Sequence, residues 1–313
     1  MNKNLPNSAN QAPRLGTRAS PLALVQAHLV ADALVAAGAD RPSIHPVETV
    51  ADKVQDRALA EIGGKAHWTK ELDGALLRGE VDLAVHSMKD VETQLAPGIA
   101  LAAVLPRADP RDRLVGAASI AALAPGAIVG TSSPRRSAQL LHRRPDLQTV
   151  TLRGNVGTRL RHIAEGRVAA SFLAAAGLDR LQVEAGVPLE IADWLPAAAQ
   201  GIIGITCRLA DKTTLELLGR INHAPSMHCL LAERAVLEGL GGSCHTSVAV
   251  HATAQTDICR IEAELLSPDG RDCVKRSIEG NGDPRELGLA LAQQLMERAT
   301  PAILASLEQV ARP

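Results

Sequence analysis

Two arginine-bearing turns give this chain its clearest chemical character. They are Thr131-Ser-Ser-Pro-Arg-Arg136 and Leu152-Arg-Gly-Asn-Val-Gly-Thr-Arg159, and each lies where a predicted strand feeds a helix. An arginine fork can bind a carboxylate through two parallel hydrogen bonds, which a lysine cannot do. Unpaired N–H groups at a helix amino terminus favour the same kind of ligand. The turns therefore predict a site for several carboxylates or phosphates. Two ordinary capped helices with solvated arginines remain the alternative.

The loop cysteine Cys244, in Gly241-Gly-Ser-Cys-His245, is the best candidate for a nucleophile. The other four cysteines (207, 229, 259 and 273) lie in strand-like or helical runs, where a thiol is usually inert filler. A glycine-flanked loop leaves a thiol more accessible, and a nearby cation would favour the reactive thiolate. The arginine turns could supply that cation.

A third group, His86-Ser-Met-Lys-Asp90, follows a predicted buried strand. Ligands in open α/β sheets gather at the carboxyl ends of such strands, so Asp90 could act as a fixed charge, acid or base. Arg18 and Ser20 stand at a similar junction. The alternatives are that Lys89 and Asp90 are surface residues and that Ser20 only caps a helix.

Composition narrows the classes of function. The chain has 313 residues and a net charge of −1, which argues weakly against a general nucleic-acid binder. Two Trp, one Phe and no Tyr leave few platforms for stacking bases. Between residues 131 and 180, nine arginines and no lysine stand against three acids, so the local surplus is six positive charges. The five cysteines form no CxxC pair and predict neither a zinc site nor a disulfide scaffold.

The periodicity predicts three domains of α/β and α+β type. A strand at residues 14–17, a helix capped by Ser20, and strands at 44–50 and 81–85 begin the first unit. Residues 106–113 read as a polar crossing and a hinge. Strands at 127–130, 149–152 and 169–173 alternate with helices in the second unit, and 201–206 could return to the first sheet. Beyond residue 223 a helix, a hairpin turn at 267–270 and a closing helix predict a small α+β domain. Residues 1–12 lack an apolar signal core and read as a disordered lead-in.

Together these motifs resemble the porphobilinogen deaminase (hydroxymethylbilane synthase) family over nearly the whole chain. The matching segments are His86–Asp90, Gly130–Arg136, Leu152–Leu160, Ala176–Leu178, Gln200–Gly201 and the Cys244 loop. The resemblance implies two doubly wound domains like type-II periplasmic binding proteins, at 13–105 with 202–220 and at 106–201. A small α+β domain at 223–313 would carry a dipyrromethane cofactor in thioether linkage to Cys244.

The resemblance also implies the chemistry and its residues. A cytoplasmic, monomeric enzyme of heme biosynthesis would condense four porphobilinogens head to tail, with loss of ammonia, and release hydroxymethylbilane by hydrolysis. It would bind neither metal, nucleic acid nor membrane. Asp90 would be the catalytic carboxylate, and Lys65 and Trp68 would belong to a flexible loop. The pyrrole acids and the cofactor would be bound by Arg18, Ser20, Ser87, Lys89, Thr131, Ser132, Ser133, Arg135, Arg136, Arg153, Asn155, Arg159, Arg180 and Gln200.

Five positions depart from the family pattern. Glu61 stands where some members have lysine, Trp68 where phenylalanine is frequent, and Pro134 where leucine is common. Ser243 and Ala199 each replace a glycine, before Cys244 and Gln200 respectively.

Two other functions fit part of the pattern. A periplasmic anion-binding protein would explain two lobes and the arginine turns, but it would need neither Asp90 nor Cys244, and a signal peptide is expected of it. A nucleic-acid binder could use the surface from Arg135 to Arg161, and would lose affinity steeply with salt.

Overall fold

The strands of this protein form three separate sheets, and helices pack against each sheet. The computed structural model describes residues 12–47, 69–242, 246–255 and 258–311, with side chains described up to Glu308. The strands are β1 (Arg14–Arg18), β2 (Ser43–Val47), β3 (Leu83–Ser87), β4 (Ile99–Val104), β5 (Asp112–Val115), β6 (Ile128–Gly130), β7 (Gln148–Val150), β8 (Ala170–Ala174), β9 (Val187–Pro188), β10 (Ile203–Arg208), β11 (Val248–Gln255), β12 (Ile258–Leu266) and β13 (Cys273–Gly280). The helices are α1 (Pro21–Ala36), α2 (Lys70–Leu77), α3 (Pro134–Arg143), α4 (Val156–Ala164), α5 (Ala175–Arg180), α6 (Lys212–Gly219), α7 (Ala224–Gly239), α8 (Pro284–Met296) and α9 (Pro301–Ala311), with a short 3-10 helix at Met88–Asp90.

Two five-stranded sheets share one topology. Their strand orders are β2-β1-β3-β10-β4, the sheet of the first lobe, and β7-β6-β8-β5-β9, the sheet of the second lobe. In each, three parallel strands are followed by one strand that runs antiparallel to both of its neighbours. In the first lobe that strand is β10, so the predicted return of the chain to the first sheet is confirmed. The predicted pair of doubly wound α/β units is confirmed as well.

Local sequence explains where the site-bearing helices begin. Helix α1 starts after Ser20, whose Oγ accepts a hydrogen bond from the Ala23 N–H at 3.3 Å. Helix α3 starts after Ser133 in the same way, and in both helices a proline takes the first position, where its missing N–H costs nothing. Pro134 therefore suits its place. Helix α4 begins at Asn155, whose Oδ1 accepts from the Thr158 N–H at 2.9 Å.

The third sheet, β11-β12-β13, is antiparallel and packs with α7 and α8 into the C-terminal unit. The predicted small α+β domain is confirmed. Its hairpin turn reaches the second lobe at Gly270, which has φ +73°. A Cβ there would lie 2.5 Å from the His142 N atom of α3, so only glycine lets the turn approach this helix.

The two lobes are joined by two crossing segments, 105–111 and 197–202, that run side by side. Arg107 Nε donates to the Gln200 carbonyl at 2.9 Å, and the Ala108 N–H donates to the Gly201 carbonyl at 3.2 Å. Ala199 has φ +63°, a left-handed conformation that glycine adopts at a lower cost than alanine. Alanine in place of glycine at position 199 therefore strains the backbone locally.

Several predicted bounds are wrong in detail. The polar crossing was predicted to run to residue 113, but β5 begins at Asp112, where the backbone pairs with β8. The strand predicted at 81–85 lies at 83–87, so His86 and Ser87 belong to β3. Strand β4 and helix α9 had no counterpart in the prediction. The residues 1–11, Glu61, Lys65, Trp68, Ser243 and Cys244 lie outside the described part of the chain. The predicted domain bounds stay a prediction.

Candidate functional site

The carboxyl ends of the parallel strands β1 and β3 open into one cavity of the first lobe. This is the edge at which ligands collect in open α/β sheets. The cavity brings together predicted site residues from two separate stretches of sequence. Its polar lining includes Arg18, Ser20, Gln26, His86, Ser87 and Asp90.

The floor of this cavity is held by two side-chain pairs. Gln26 Nε2 donates to Ser87 Oγ at 2.8 Å, which fixes the serine to helix α1. His86 Nε2 lies 2.9 Å from Thr206 Oγ1 of β10. Burial and the charge of Arg18 together lower the pKa of His86 to about 4, so this imidazole is neutral at neutral pH. His86 therefore supports the site and does not compete for anions.

Lys89 stands where the two lobes face each other. Burial lowers its pKa to about 8, and the charge of Asp90 opposes that effect. Arg136 and Arg135 of the second lobe lower the pKa of Lys89 as well, and Asp112 raises it. These influences place Lys89 near the arginine pair, and a binding cleft shared by Lys89, Asp90, Arg135 and Arg136 stays a prediction.

Asp112 is the centre of the second lobe's side of the cleft. Its side chain is fully buried and accepts from four residues. Arg136 Nη2 donates at 2.6 Å and its Nε at 3.2 Å, while Arg135 Nη2 donates at 2.9 Å. Trp194 Nε1 and Gln200 Nε2 add bonds of 2.9 and 2.8 Å. Burial by itself raises the pKa of Asp112, but the two arginines lower it well below its ordinary value, so the carboxylate stays ionised.

The Arg135 side chain makes further hydrogen bonds in the protein interior. Its Nη1 donates to Gln139 Oε1 at 2.9 Å and to the Leu195 carbonyl at 3.0 Å. Gln139 Nε2 in turn donates to Glu264 Oε2 of β12 at 2.6 Å. Arg135 thus belongs to a buried polar chain from Asp112 to the C-terminal unit. These contacts favour a supporting role, and direct binding of ligand acids by Arg135 stays a prediction.

Two buried polar atoms at this centre have no hydrogen-bond partner among the described residues. They are Arg135 Nε, a donor, and Gln200 Oε1, an acceptor. A buried donor or acceptor without a partner is costly. A polar ligand beside Asp112 would relieve that cost.

The second arginine turn adds a further cation to the cleft. Arg159 Nε donates to the Gly154 carbonyl at 3.1 Å, and its Nη2 donates to Ser132 Oγ at 3.3 Å. Burial lowers the pKa of Arg159 to about 10, with a further lowering from Arg136 and an opposing effect from Asp90. The charges of Asp90 and Arg136 therefore both act on Arg159, and its binding of ligand acids stays a prediction.

The remaining predicted residues lie around this cluster. Thr131 is buried, and its Oγ1 accepts from the Ser133 N–H at 3.1 Å, which shapes the first turn. Arg153 is half-buried and makes no hydrogen bond or ion pair within the described ranges. Arg180 Nη2 donates to the Gly201 carbonyl at 2.8 Å, so this arginine reaches the crossing segment. Burial lowers the pKa of Arg180 to about 10.

Sequence reasoning missed the acid on which the arginine pair depends. Asp112 sits in Pro110-Arg-Asp-Arg113, where a solvated acid is the ordinary expectation. Gln26 was also missed, because an amide on a helix carries no motif. The one available signal for Asp112 was its position directly after a proline-marked crossing between two lobes.

Positive charge exceeds negative charge in the described cleft. The charges of Asp90 and Arg136 act on both Lys89 and Arg159, while Asp112 is already saturated by donors. Such a site is suited to a ligand that carries several carboxylates and one positively polarised centre. The described His, Cys, Asp and Glu side chains form no group that could hold a metal ion.

Comparison with known proteins gives full-length similarity. A family model described as "Porphobilinogen deaminase, dipyromethane cofactor binding domain" matches residues 14–216, and one described as "Porphobilinogen deaminase, C-terminal domain" matches residues 227–297. Proteins named porphobilinogen deaminase are 50% identical in Sphingopyxis alaskensis, covering 93% of this chain and 95% of the relative, and 44% identical in Pelobacter propionicus, covering 95% and 97%. The chloroplastic protein of Oryza sativa is 43% identical over 94% of this chain and 86% of its own. Immunogenic lipoprotein A from Vibrio vulnificus is 11% identical over 68% of this chain and 96% of its own, with a TM-score of 0.42, too weak to add to this picture.

Replacing Asp112 by asparagine will destabilise the protein strongly. The change keeps the shape but leaves Arg135 and Arg136 buried without their counter-charge, which typically costs about 3–5 kcal/mol. We expect a loss of that size in the free energy of unfolding, measured by urea unfolding. The matched control is Asp146→Asn, which removes the acid of the surface pair with Arg144 and should change stability little. Equal losses in the two variants would show that the Asp112 contacts do not hold the cleft together.

Proposed function

The chain belongs to the porphobilinogen deaminase family, and on that premise we propose how its residues condense four porphobilinogen molecules into hydroxymethylbilane. The enzyme is a transferase of tetrapyrrole and heme biosynthesis, and it works with a dipyrromethane cofactor. Each coupling forms one carbon–carbon bond and breaks one carbon–nitrogen bond, as ammonia leaves the incoming pyrrole. Water enters at the end, when the four-ring product is released.

The observation that carries this proposal is that the charges of Asp90 and Arg136 both act on Lys89 and Arg159, and that Arg159 bonds to Ser132 of the first arginine turn. Every pyrrole of the substrate brings an acetate and a propionate, so the growing chain accumulates negative charge. The cations of the cleft can hold those acids by charge-assisted hydrogen bonds. Burial lowers the pKa values of Lys89 and Arg159, and a bound carboxylate would stabilise their charged forms.

The cofactor fits the residues present. Its acid groups match the cationic cleft, and a ring N–H or a carboxylate beside Asp112 could satisfy Gln200 Oε1 or Arg135 Nε. When bound, the cofactor supplies a nucleophilic pyrrole carbon that is fixed to the protein. We propose Cys244 as the point of attachment, on its loop position in the sequence, although Cys244 lies outside the described residues.

Asp90 is the proposed catalytic residue. It lies at the mouth of the first-lobe cavity, and its carboxylate can accept hydrogen bonds from a pyrrole N–H. The same negative charge would stabilise the cation that develops on the incoming pyrrole as ammonia departs. A fixed carboxylate costs no reorganisation at that moment, which is the usual source of such stabilisation.

The other site residues are proposed to bind acids or to shape the cleft. Lys89, Arg136 and Arg159 would contact carboxylates directly. Arg135 and Gln200 would position the pair through Asp112. The remaining proposed contributors from the described part are Arg18, Ser20, Ser87, Thr131, Ser132, Ser133, Arg153, Asn155 and Arg180. Lys65 and Trp68 would act from the segment outside the described residues.

The family assignment also supports a simple setting for the enzyme. We propose a cytoplasmic monomer that binds its small-molecule substrate and needs no nucleic acid or membrane. Among the helices that the structure describes, none has both the length and the apolar character to span a bilayer.

Substrate binding should weaken as the pH rises through about 8, because Lys89 then loses its charge. Carboxylates bind the ammonium form, so binding raises the pKa of Lys89 and takes up a proton in this range. We expect the KM for porphobilinogen to rise up to about tenfold between about pH 7.5 and 9.5. The variant Lys89→Arg keeps its charge, so its KM should change much less with pH. The control Lys70→Arg changes an exposed residue of α2, and its KM should follow that of the wild type. Parallel profiles for all three proteins would exclude Lys89 from carboxylate binding.

Intact-protein mass spectrometry tests the covalent assignment. Purified wild type should exceed its sequence mass by two condensed pyrrole units, and Cys244→Ser should lack that increment, because a hydroxyl is a far weaker nucleophile than a thiolate. Cys273→Ser, which changes a partly buried thiol of β13, should retain it. An active wild type without the added mass, or a Cys244→Ser variant that keeps it, would contradict the proposed attachment.

A further inference from the structure

We infer that Arg234 is a positioning residue that sets the place of the Asp90 turn relative to the C-terminal unit. This inference rests on the proposed function, since it gives the turn its catalytic meaning. Arg234 lies in α7, within a helix that the sequence analysis predicted without assigning it any chemistry.

The guanidinium of Arg234 binds three consecutive backbone carbonyls directly after Asp90. Nη1 donates to the Val91 carbonyl at 3.2 Å, and Nη2 donates to the Thr93 carbonyl at 2.7 Å and to the Glu92 carbonyl. Segment 91–93 has no regular secondary structure, so its carbonyls receive no partners from a helix or a sheet. The arginine therefore supplies the bonds that a regular element would otherwise provide.

A second tie joins the same segment to the far end of α7. Thr93 Oγ1 donates to the Gly242 carbonyl at 3.2 Å. Gly242 is the last described residue before the segment 243–245 that contains Cys244. Segment 91–93 is thus fastened both to the body of α7 and to the backbone just after it.

Apolar packing holds the other side of the turn against the same helix. Leu230, one helical turn before Arg234, is fully buried in a cluster with Met88 and Val91. Met88 and Val91 flank Lys89 and Asp90 in sequence. Leu230 and Arg234 are four residues apart and lie on the same face of α7. This face therefore contacts both the apolar side chains of the turn and the backbone carbonyls that follow it.

Helix α7 is itself anchored between the lobes. Glu233, the neighbour of Arg234, is fully buried and accepts from Arg107 Nη1 at 2.6 Å, from the Ala252 N–H at 2.7 Å and from the Ala199 N–H at 2.5 Å. The helix is thereby tied to both crossing segments and to β11. Because α7 is anchored in this way, the hydrogen bonds of Arg234 hold the Asp90 turn in a fixed position.

Loss of this grip should slow the chemistry more than it weakens substrate binding. The acids of the substrate are held by cations that do not contact Arg234, so their affinity should survive. A displacement of Asp90 by about 1 Å is enough to cost about a hundredfold in rate when the reacting groups depend on alignment. The predicted signature is therefore a fall in kcat at nearly constant KM.

The experiment compares Arg234→Met with Arg144→Met in the holoenzyme. Arg144 is a matched control, because it also binds three backbone carbonyls, those of Ile120, Ala121 and Leu123, in the second lobe outside the cleft. Steady-state kinetics with porphobilinogen and thermal unfolding are measured on both. We expect Arg234→Met to lose about ten- to a hundredfold in kcat with KM within about twofold, while Arg144→Met keeps its kcat.

Thr93→Val tests the second tie with a smaller change, and decides the matter if Arg234→Met does not fold. It should lower kcat by about threefold at unchanged melting temperature and KM. Equal kcat values for wild type and Thr93→Val, or equal kcat losses in the two arginine variants, would overturn the inference. A wild type that forms no hydroxymethylbilane would instead overturn the proposed function, and the inference with it.

Discussion

One buried carboxylate, Asp112, sets the geometry on which the cleft depends. Two guanidinium groups, an indole N–H and a side-chain amide all converge on it. An ionised acid in a protein interior is tolerated only when donors surround it, and here the donors include the arginine pair of the first turn. The acid fixes the almost fully buried Arg136, whose charge acts on Lys89 and Arg159. Its cost to the fold is offset by the positive field that it leaves for a ligand.

Buried acids also connect the C-terminal unit to the two lobes. Glu264 of β12 accepts a hydrogen bond from Gln139 of the second lobe. Glu233 of α7 accepts hydrogen bonds from Arg107 and from the Ala199 N–H of the crossing segments. Each acid accepts hydrogen bonds from more than one donor, so removing one acid would leave several groups unpaired. The C-terminal unit, which is proposed to carry the cofactor, is therefore held in a fixed position relative to the cleft by polar contacts as well as by packing. Arg234 likewise fixes the position of the turn that contains Asp90.

Much of this architecture was predictable from sequence because local signals were strong. Ser20, Ser133 and Asn155 stand before helices, and the structure shows each accepting a hydrogen bond from the helix that it caps. The return of 203–208 to the first sheet followed from its apolar run. The motifs of the two turns were enough to predict an anion site, and the family resemblance added Lys89 and Asp90 to it. The family resemblance supplied the identity of the ligand, which no periodicity could give.

What sequence could not supply was pairing over long distances. Asp112 and Arg234 look like ordinary charged residues in a polar crossing and on a helix, and only the fold shows the groups that they bind. The central claim is that Lys89, Arg136 and Arg159 hold the acids of a chain that grows past Asp90. A crystal structure of the cofactor-loaded protein tests it most directly. We expect acetate and propionate oxygens within hydrogen-bonding distance of these three cations and pyrrole N–H groups on Asp90. Ligand acids turned to solvent, with Asp90 remote from every ring, would contradict the account.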